Sequence, residues 1–262
     1  MSSEIELSVV MPALNEEKNL ARALTDTLEA LDEYGIAGEV IVVNDGSTDA
    51  TGRIAEEWGK RDPRVRMIVH DCPWGIGGSF WDGVDAARGA AIVMLPGDNE
   101  NDPREILQYH GILHYVDIVI PFVYNKSVRS LYRNALSFAY RFIVNTTFLV
   151  NFNYTNGTNL YRTSILRELE ERSTGFFFQT DMLVRLVKKD YLFAEVPYRL
   201  RVRKGGVSRA ASFPSFLQVV RGYIRLTRDI YWGETKVPRS THSADSMTRV
   251  RRRATKRQPL KP

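Results

Sequence analysis

The chain has a single cysteine, Cys72, in 262 residues. No intrachain disulfide can form, and a reducing compartment is the default setting for such a sequence. Long hydrophobic runs are missing too. A membrane-crossing helix needs about 18 or more consecutive apolar residues. The nearest stretch, Phe138 to Phe152, is interrupted by Arg141, Asn145, Thr146, Thr147 and Asn151. The opening residues lack the basic and apolar regions of an export signal, so the N-x-Thr triplets beginning at Asn145, Asn153 and Asn156 read as chance. The expectation is a cytoplasmic chain that does not cross a bilayer by itself. Two phosphate-binding signatures are also absent. No G-x-x-x-x-G-K-[ST] occurs, which excludes a P-loop NTPase, and no G-x-G-x-x-G follows the first predicted strand.

Charge of one sign is scarce over most of the chain. The net charge is +5, but residues 234–262 hold nine Lys/Arg against two acidic residues, which leaves −2 for residues 1–233. A basic tail on a near-neutral body leaves no broad nucleic-acid footprint. The tail, 234–262, is polar and basic and is expected to be disordered.

What is present is an α/β alternation. Val/Ile-rich runs at Leu7–Met11, Val40–Val43, Val65–Val69, Ala91–Leu95 and Ile118–Ile120 are nearly unbroken, as in strands covered on both faces. Helical spacing lies between them: Leu20, Leu24, Thr27, Leu28 and Leu31 first, then Asp49–Trp58, Ser79–Arg88 and Pro103–His114. This order predicts a mostly parallel sheet with crossover helices. Further helices are predicted over Ser127–Phe152 and Ser212–Trp232, with a helix and then a strand between Phe176 and Tyr198.

In open α/β sheets ligands bind beyond the carboxyl ends of strands, so the loops there are the candidate site. The first is Pro12-Ala13-Leu14-Asn15-Glu16-Glu17. The second is Asn44-Asp45-Gly46-Ser47-Thr48-Asp49, where Ser47, Thr48 or Asp49 can cap the next helix but Asp45 has no such structural task. Gly75-Ile76-Gly77-Gly78 reads as a flexible turn before a helix. The last is Pro96-Gly97-Asp98-Asn99-Glu100-Asn101-Asp102, a crowd of carboxylates and amides that suits Mg²⁺ or Mn²⁺.

Together these loops resemble the glycosyltransferases of family 2. Val9 to Glu16 is similar to their "VVxPxxNE" opening, and Val42 to Thr51 to their "VDDGSxDxT". Within the family, the polyprenyl-phosphate sugar synthases are the nearest pattern. Their "DADLQHPPE" metal loop aligns with Pro96 to Arg104, and Glu195-Val196-Pro197 and Arg203 to Arg209 resemble their "EVP" and "RxxGxSK". Pro96 replaces the first Asp of that loop, and Glu100 replaces a Gln.

The resemblance implies a GT-A fold, with a donor half over about 5–122 and an acceptor half over about 123–233. It implies inverting transfer from a GDP- or UDP-linked sugar. Pro12, Ala13, Asn15, Glu16, Asp45 and Asp98 would bind the donor, and Asp98 and Glu100 the divalent metal. A polyprenyl phosphate acceptor at the inner membrane face would be held by Arg129, Arg133, Arg203, Ser208 and Arg209. Asp98 and Arg203 are then catalytic, and Asp181 would be the base if the acceptor were a soluble hydroxyl. A non-catalytic nucleotide-sugar-binding protein is the remaining alternative.

Overall fold

The structure is a computed structural model that describes residues 4–125, 131–199, 213–233 and 242–257. Seven strands form one sheet: β1 (Leu7–Ala13), β2 (Gly38–Asn44), β3 (Val65–Val69), β4 (Ala91–Met94), β5 (Ile118–Val123), β6 (Leu160–Arg162) and β7 (Phe193–Tyr198). Their order is β3-β2-β1-β4-β6-β5-β7. All neighbours run parallel except at β6, which is antiparallel to both β4 and β5. Residues 38 to 44 and 91 to 94 flank β1 in register, so the chain reverses its direction of winding there, and a crevice opens beyond the ends of β1, β2 and β4.

Alternating side chains along the strands feed two cores. Val9, Met11, Val40, Val42 and Val93 face one layer, formed by α1 (Leu20–Glu33), α2 (Thr51–Arg61) and α4 (Pro103–Leu107). Val10, Ile41, Val43, Ile92 and Ile118 face the other, which holds α3 (Gly75–Ala86), α5 (Leu131–Phe148), α6 (Thr163–Arg167), α7 (Phe178–Lys188) and α8 (Phe213–Trp232). The predicted 103–114 helix is interrupted: α4 ends at Leu107, and a separate 3-10 turn covers His110–His114. The glycines at 75–78 do not form a turn ahead of a helix; they are the first turn of α3 itself.

α3 lies so close to the sheet that a Cβ on Gly83 would stand 2.3 Å from Val10 Cγ1. Gly83→Ala is expected to cost about 1–3 kcal/mol by overpacking, read as a lower urea midpoint with an unchanged slope.

Over its described residues, 242–257, the basic tail departs from the expected disorder. Within it, Met247–Arg257 forms a further helix, α9. Its N-terminus is capped from outside by Asp117, a fully buried residue just before β5. The Asp117 carboxylate accepts from Met247 N at 2.6 Å, Thr248 N at 3.0 Å and the Thr248 hydroxyl. Thr248 Oγ1 in turn accepts from Leu192 N at 2.9 Å, and the His242 ring donates to the Lys189 carbonyl. Composition alone suggested a solvated tail, but the first N–H groups of a helix need acceptors, and a distant carboxylate supplies them.

Candidate active site

Strand β1 ends at the centre of the site. Asp45 N donates to the Ala13 carbonyl at 2.9 Å, and Gly97 N donates to the Pro12 carbonyl, also at 2.9 Å. Two adjacent residues of one strand thus hold the Asp45 loop on one side and the Asp98 loop on the other. With strands about 4.8 Å apart, the two loops are separated by roughly 10 Å. Pro12 and Ala13 belong to the strand rather than to a loop.

The first two loops are laced together. Asn15 takes a left-handed backbone (φ 57°), donates its N–H to Ser47 Oγ and accepts from Thr48 N at 2.9 Å. Glu16 N donates to Thr51 Oγ1 at 2.8 Å. Asp49 accepts from Thr51 N and from Thr51 Oγ1, while the N-cap position itself is Ala50. Gly46 turns at φ 71° directly against the Cys72 backbone, where a Cβ would come within 2.8 Å.

Asp45 is buried and well connected. Oδ1 accepts from the His70 ring Nδ1 and from Trp74 N, each at 2.8 Å, and Oδ2 accepts from Gly75 N at 2.9 Å. A carboxylate offers about four acceptor directions, so one on Oδ2 is left for a donor from a ligand. His70 is itself buried. Its Nε2 lies 2.9 Å from Asp82 Oδ2 without hydrogen-bond alignment. Trp74 stacks on the His70 ring at 4.8 Å. His70, Asp82 and Trp74 were not among the candidate residues. The available signal was position, since His70 directly follows β3 at the carboxyl end of the sheet.

In the β4 loop Glu100 N donates to Asp98 Oδ1 at 3.0 Å, and Asn99 adopts φ 55°. Asp102 leaves the cluster and caps α4 through Arg104 N at 3.1 Å. Among the described residues no three His, Cys, Asp or Glu side chains gather closely enough to hold an ion by themselves. The donor set still fits a divalent cation. Asp98 and Glu100 supply two hard carboxylates, and Asn99 Oδ1 is buried without a partner. Mg²⁺ is commonly held by one or two carboxylates with the remaining oxygens coming from substrate phosphates and water.

Arg133 is exposed on the first turn of α5, while Arg129, Arg203, Ser208 and Arg209 lie outside the described residues. Asp181 is buried in the first turn of α7, where Arg185 Nε donates to its Oδ2 at 2.8 Å. Arg185 also reaches Asp229 on α8 at 2.7 Å. Burial pushes the Asp181 carboxyl above its ordinary value, against the opposing pull of Arg185. Glu195, of the Glu195-Val196-Pro197 segment, grips the loop before β6 with both oxygens, on Asn153 N and Asn153 Nδ2.

The fold and the strand-end loops define a GT-A glycosyltransferase. The chain belongs to glycosyl transferase family 2, whose family model matches residues 8–170. It is 28% identical over 170 residues to a dodecaprenyl-phosphate galacturonate synthase of Rhizobium johnstonii, a match spanning 63% of this chain and 50% of that relative. The chain therefore covers about half of that protein's length. It is 27% identical over 217 residues to a polyprenol monophosphomannose synthase of Mycolicibacterium smegmatis, covering 77% and 79% of the two chains. Among solved structures, Mycobacterium tuberculosis glucosyl-3-phosphoglycerate synthase in complex with UDP superposes with a TM-score of 0.66 at 20% identity, over 85% of this chain and 80% of that one. Its complex with Mn²⁺, UDP and glucosyl-3-phosphoglycerate gives 0.63 at 22% identity, over the same shares of the two chains. These structures share the fold.

Proposed function

We propose that this enzyme transfers a sugar, with inversion, from a GDP- or UDP-linked donor to a polyprenyl phosphate at the cytoplasmic face of a membrane. The observation that carries the donor half of this reading is the bracketing of β1: Asp45 stands on one side and Asp98 with Glu100 on the other. That spacing suits a nucleoside diphosphate, with the base N–H on Asp45 and the diphosphate near Asp98. A divalent cation between Asp98, Glu100 and the diphosphate would neutralise charge on the leaving group. Asn15 and Glu16 act mainly by fixing the two loops against each other, which keeps the Asp45 carboxylate in place.

The names of the two relatives support the acceptor, and so does the surface. Most outward residues of α5 are apolar, with Arg133 among them: Leu131 is 89% exposed and Phe142 61%, opposite the buried Val144 and Phe148. α5 carries no acidic side chain. No described helix is long and apolar enough to cross a bilayer, so these faces suit lying in the interface.

A lipid phosphate is already an anion and needs no general base. Asp181 would serve as one only for a hydroxyl acceptor, and Arg185 occupies its oxygens. Asp181→Asn is therefore expected to leave transfer to a lipid phosphate within about tenfold of the parent; a larger, uniform loss of kcat with the fold intact would favour the hydroxyl reading. The defining experiment is nucleotide release from a panel of nucleotide sugars, with Mn²⁺, Mg²⁺ or chelator, and with or without polyprenyl phosphate. Turnover requiring both metal and lipid is expected. Donor binding without turnover under any condition would instead indicate a different acceptor or a non-catalytic binding protein.

A further inference from the structure

The outward side of α8 carries a feature that the donor chemistry does not use. Arg221, Ile224, Arg225 and Arg228 line an open cavity of about 330 Å³. Spaced by four and three residues, the three guanidiniums share one helix face.

Among the described residues their charges are only partly offset. Beneath them, Arg185 bridges the two nearby acids, Asp181 and Asp229. Arg225 lies within the field of Asp181 but hydrogen-bonds to neither acid. Arg228 approaches Asp229 only to 3.9 Å. Arg221 makes no ion pair or hydrogen bond among the described residues. Most telling is Arg225 Nε, a buried donor with no acceptor. Burying a charged donor unsatisfied is costly, and an incoming anion would relieve that cost. A phosphate matches the fork of a guanidinium and the surplus positive charge.

The surroundings narrow the ligand further. Ile224, in the middle of the arginine row, is 60% exposed, and Trp232 at the helix end is 74% exposed. Cationic and apolar side chains thus alternate on one surface, as a headgroup carried on a hydrocarbon chain requires.

We propose that this α8 groove binds the phosphate headgroup of a lipid. The groove is separate from the Asp45 and Asp98 loops, and its assignment to a lipid rests on the membrane-surface reading given above. The phosphate could belong to a polyprenyl phosphate or to an anionic phospholipid of the bilayer.

The test is sedimentation of the full chain with vesicles of phosphatidylcholine alone, with added phosphatidic acid, or with added polyprenyl phosphate. Binding is expected to vesicles containing either phosphate lipid but not to phosphatidylcholine alone. If only polyprenyl phosphate promotes it, the groove belongs to the acceptor; if both do, it reads the headgroup phosphate in general. Arg221→Gln with Arg228→Gln alters two exposed side chains and is expected to weaken binding about thirtyfold. Arg225→Lys keeps the charge but loses the fork and its buried Nε, and is expected to weaken binding about tenfold.

A charge-matched control, Arg251→Gln with Arg253→Gln on α9, should change binding by less than about threefold. Equal loss in the control would mean that net charge alone drives binding and would overturn the proposal. So would unchanged binding by the α8 variants, or release from the vesicles by inorganic phosphate, which would assign the groove to free phosphate. Nucleotide-sugar turnover with vesicle binding indifferent to the α8 arginines would sink this inference alone. Arginine-dependent vesicle binding without turnover on any donor would sink the proposed reaction and leave the groove standing.

Discussion

Asp98→Ala is expected to lower metal-dependent nucleotide release at least about a hundredfold, on the scale seen when a group stabilising developing charge is removed. Two effects combine. The substitution takes away one of the two carboxylates available to a divalent ion in this loop. It also removes the acceptor for Glu100 N, which sets the turn through the left-handed Asn99. Asp98 contributes nothing to either hydrophobic core, so the urea midpoint should stay close to that of the parent. The informative readout is a titration of rate against Mn²⁺ for Asp98→Ala and for Glu100→Ala. A raised metal requirement in both, larger for Asp98, is the expected pattern. Unchanged turnover in Asp98→Ala would remove the metal role from this loop. Asp45→Ala should behave differently, weakening nucleotide affinity without changing the metal requirement.

The largest effect on stability is expected from Asp117→Ala. That carboxylate is fully buried and serves two partners: the first N–H groups of α9, and Arg162 Nε at 3.3 Å. Removing one member of a buried ion pair costs about 3–5 kcal/mol, because the other charge is left uncompensated. Loss of the helix cap adds roughly 1 kcal/mol. Asp117→Asn keeps an acceptor for the cap while losing the charge, and should fall between the parent and the alanine variant. Urea midpoints measure the total. Limited trypsin digestion separates the parts, since the arginines of α9 should become cleavable earlier in Asp117→Ala. If α9 remains as protected as in the parent, the cap is not what holds it.

Much of this protein was readable before its structure. Five Val/Ile runs became five parallel strands because a strand buried on both faces must be apolar throughout, and that leaves a local signature. The three carboxylate-bearing loops were placed correctly at strand ends, since the order of elements alone determines where a loop must emerge in a doubly wound sheet. β6 was not legible. It has three residues, Leu160–Arg162, and pairs antiparallel between two strands of the opposite direction, too short a segment for any periodicity to register.

Tertiary structure decided the rest, and the reason is the same in each case. His70 meets Asp45 across 25 positions, Asp117 caps a helix 131 positions away, and Arg185 spans 44 positions to reach Asp229. A partnership between side chains that far apart leaves no spacing rule in the sequence. Composition marked α9 as a solvated basic segment, whereas a buried carboxylate just before β5, together with contacts to Leu192 and Lys189, makes it a docked helix. Sequence by itself determined the class of fold and which loops emerge at the carboxyl ends of the central strands. Which charges are neutralised, and which are left for a ligand, depended on how the folded chain brings its acids and arginines together.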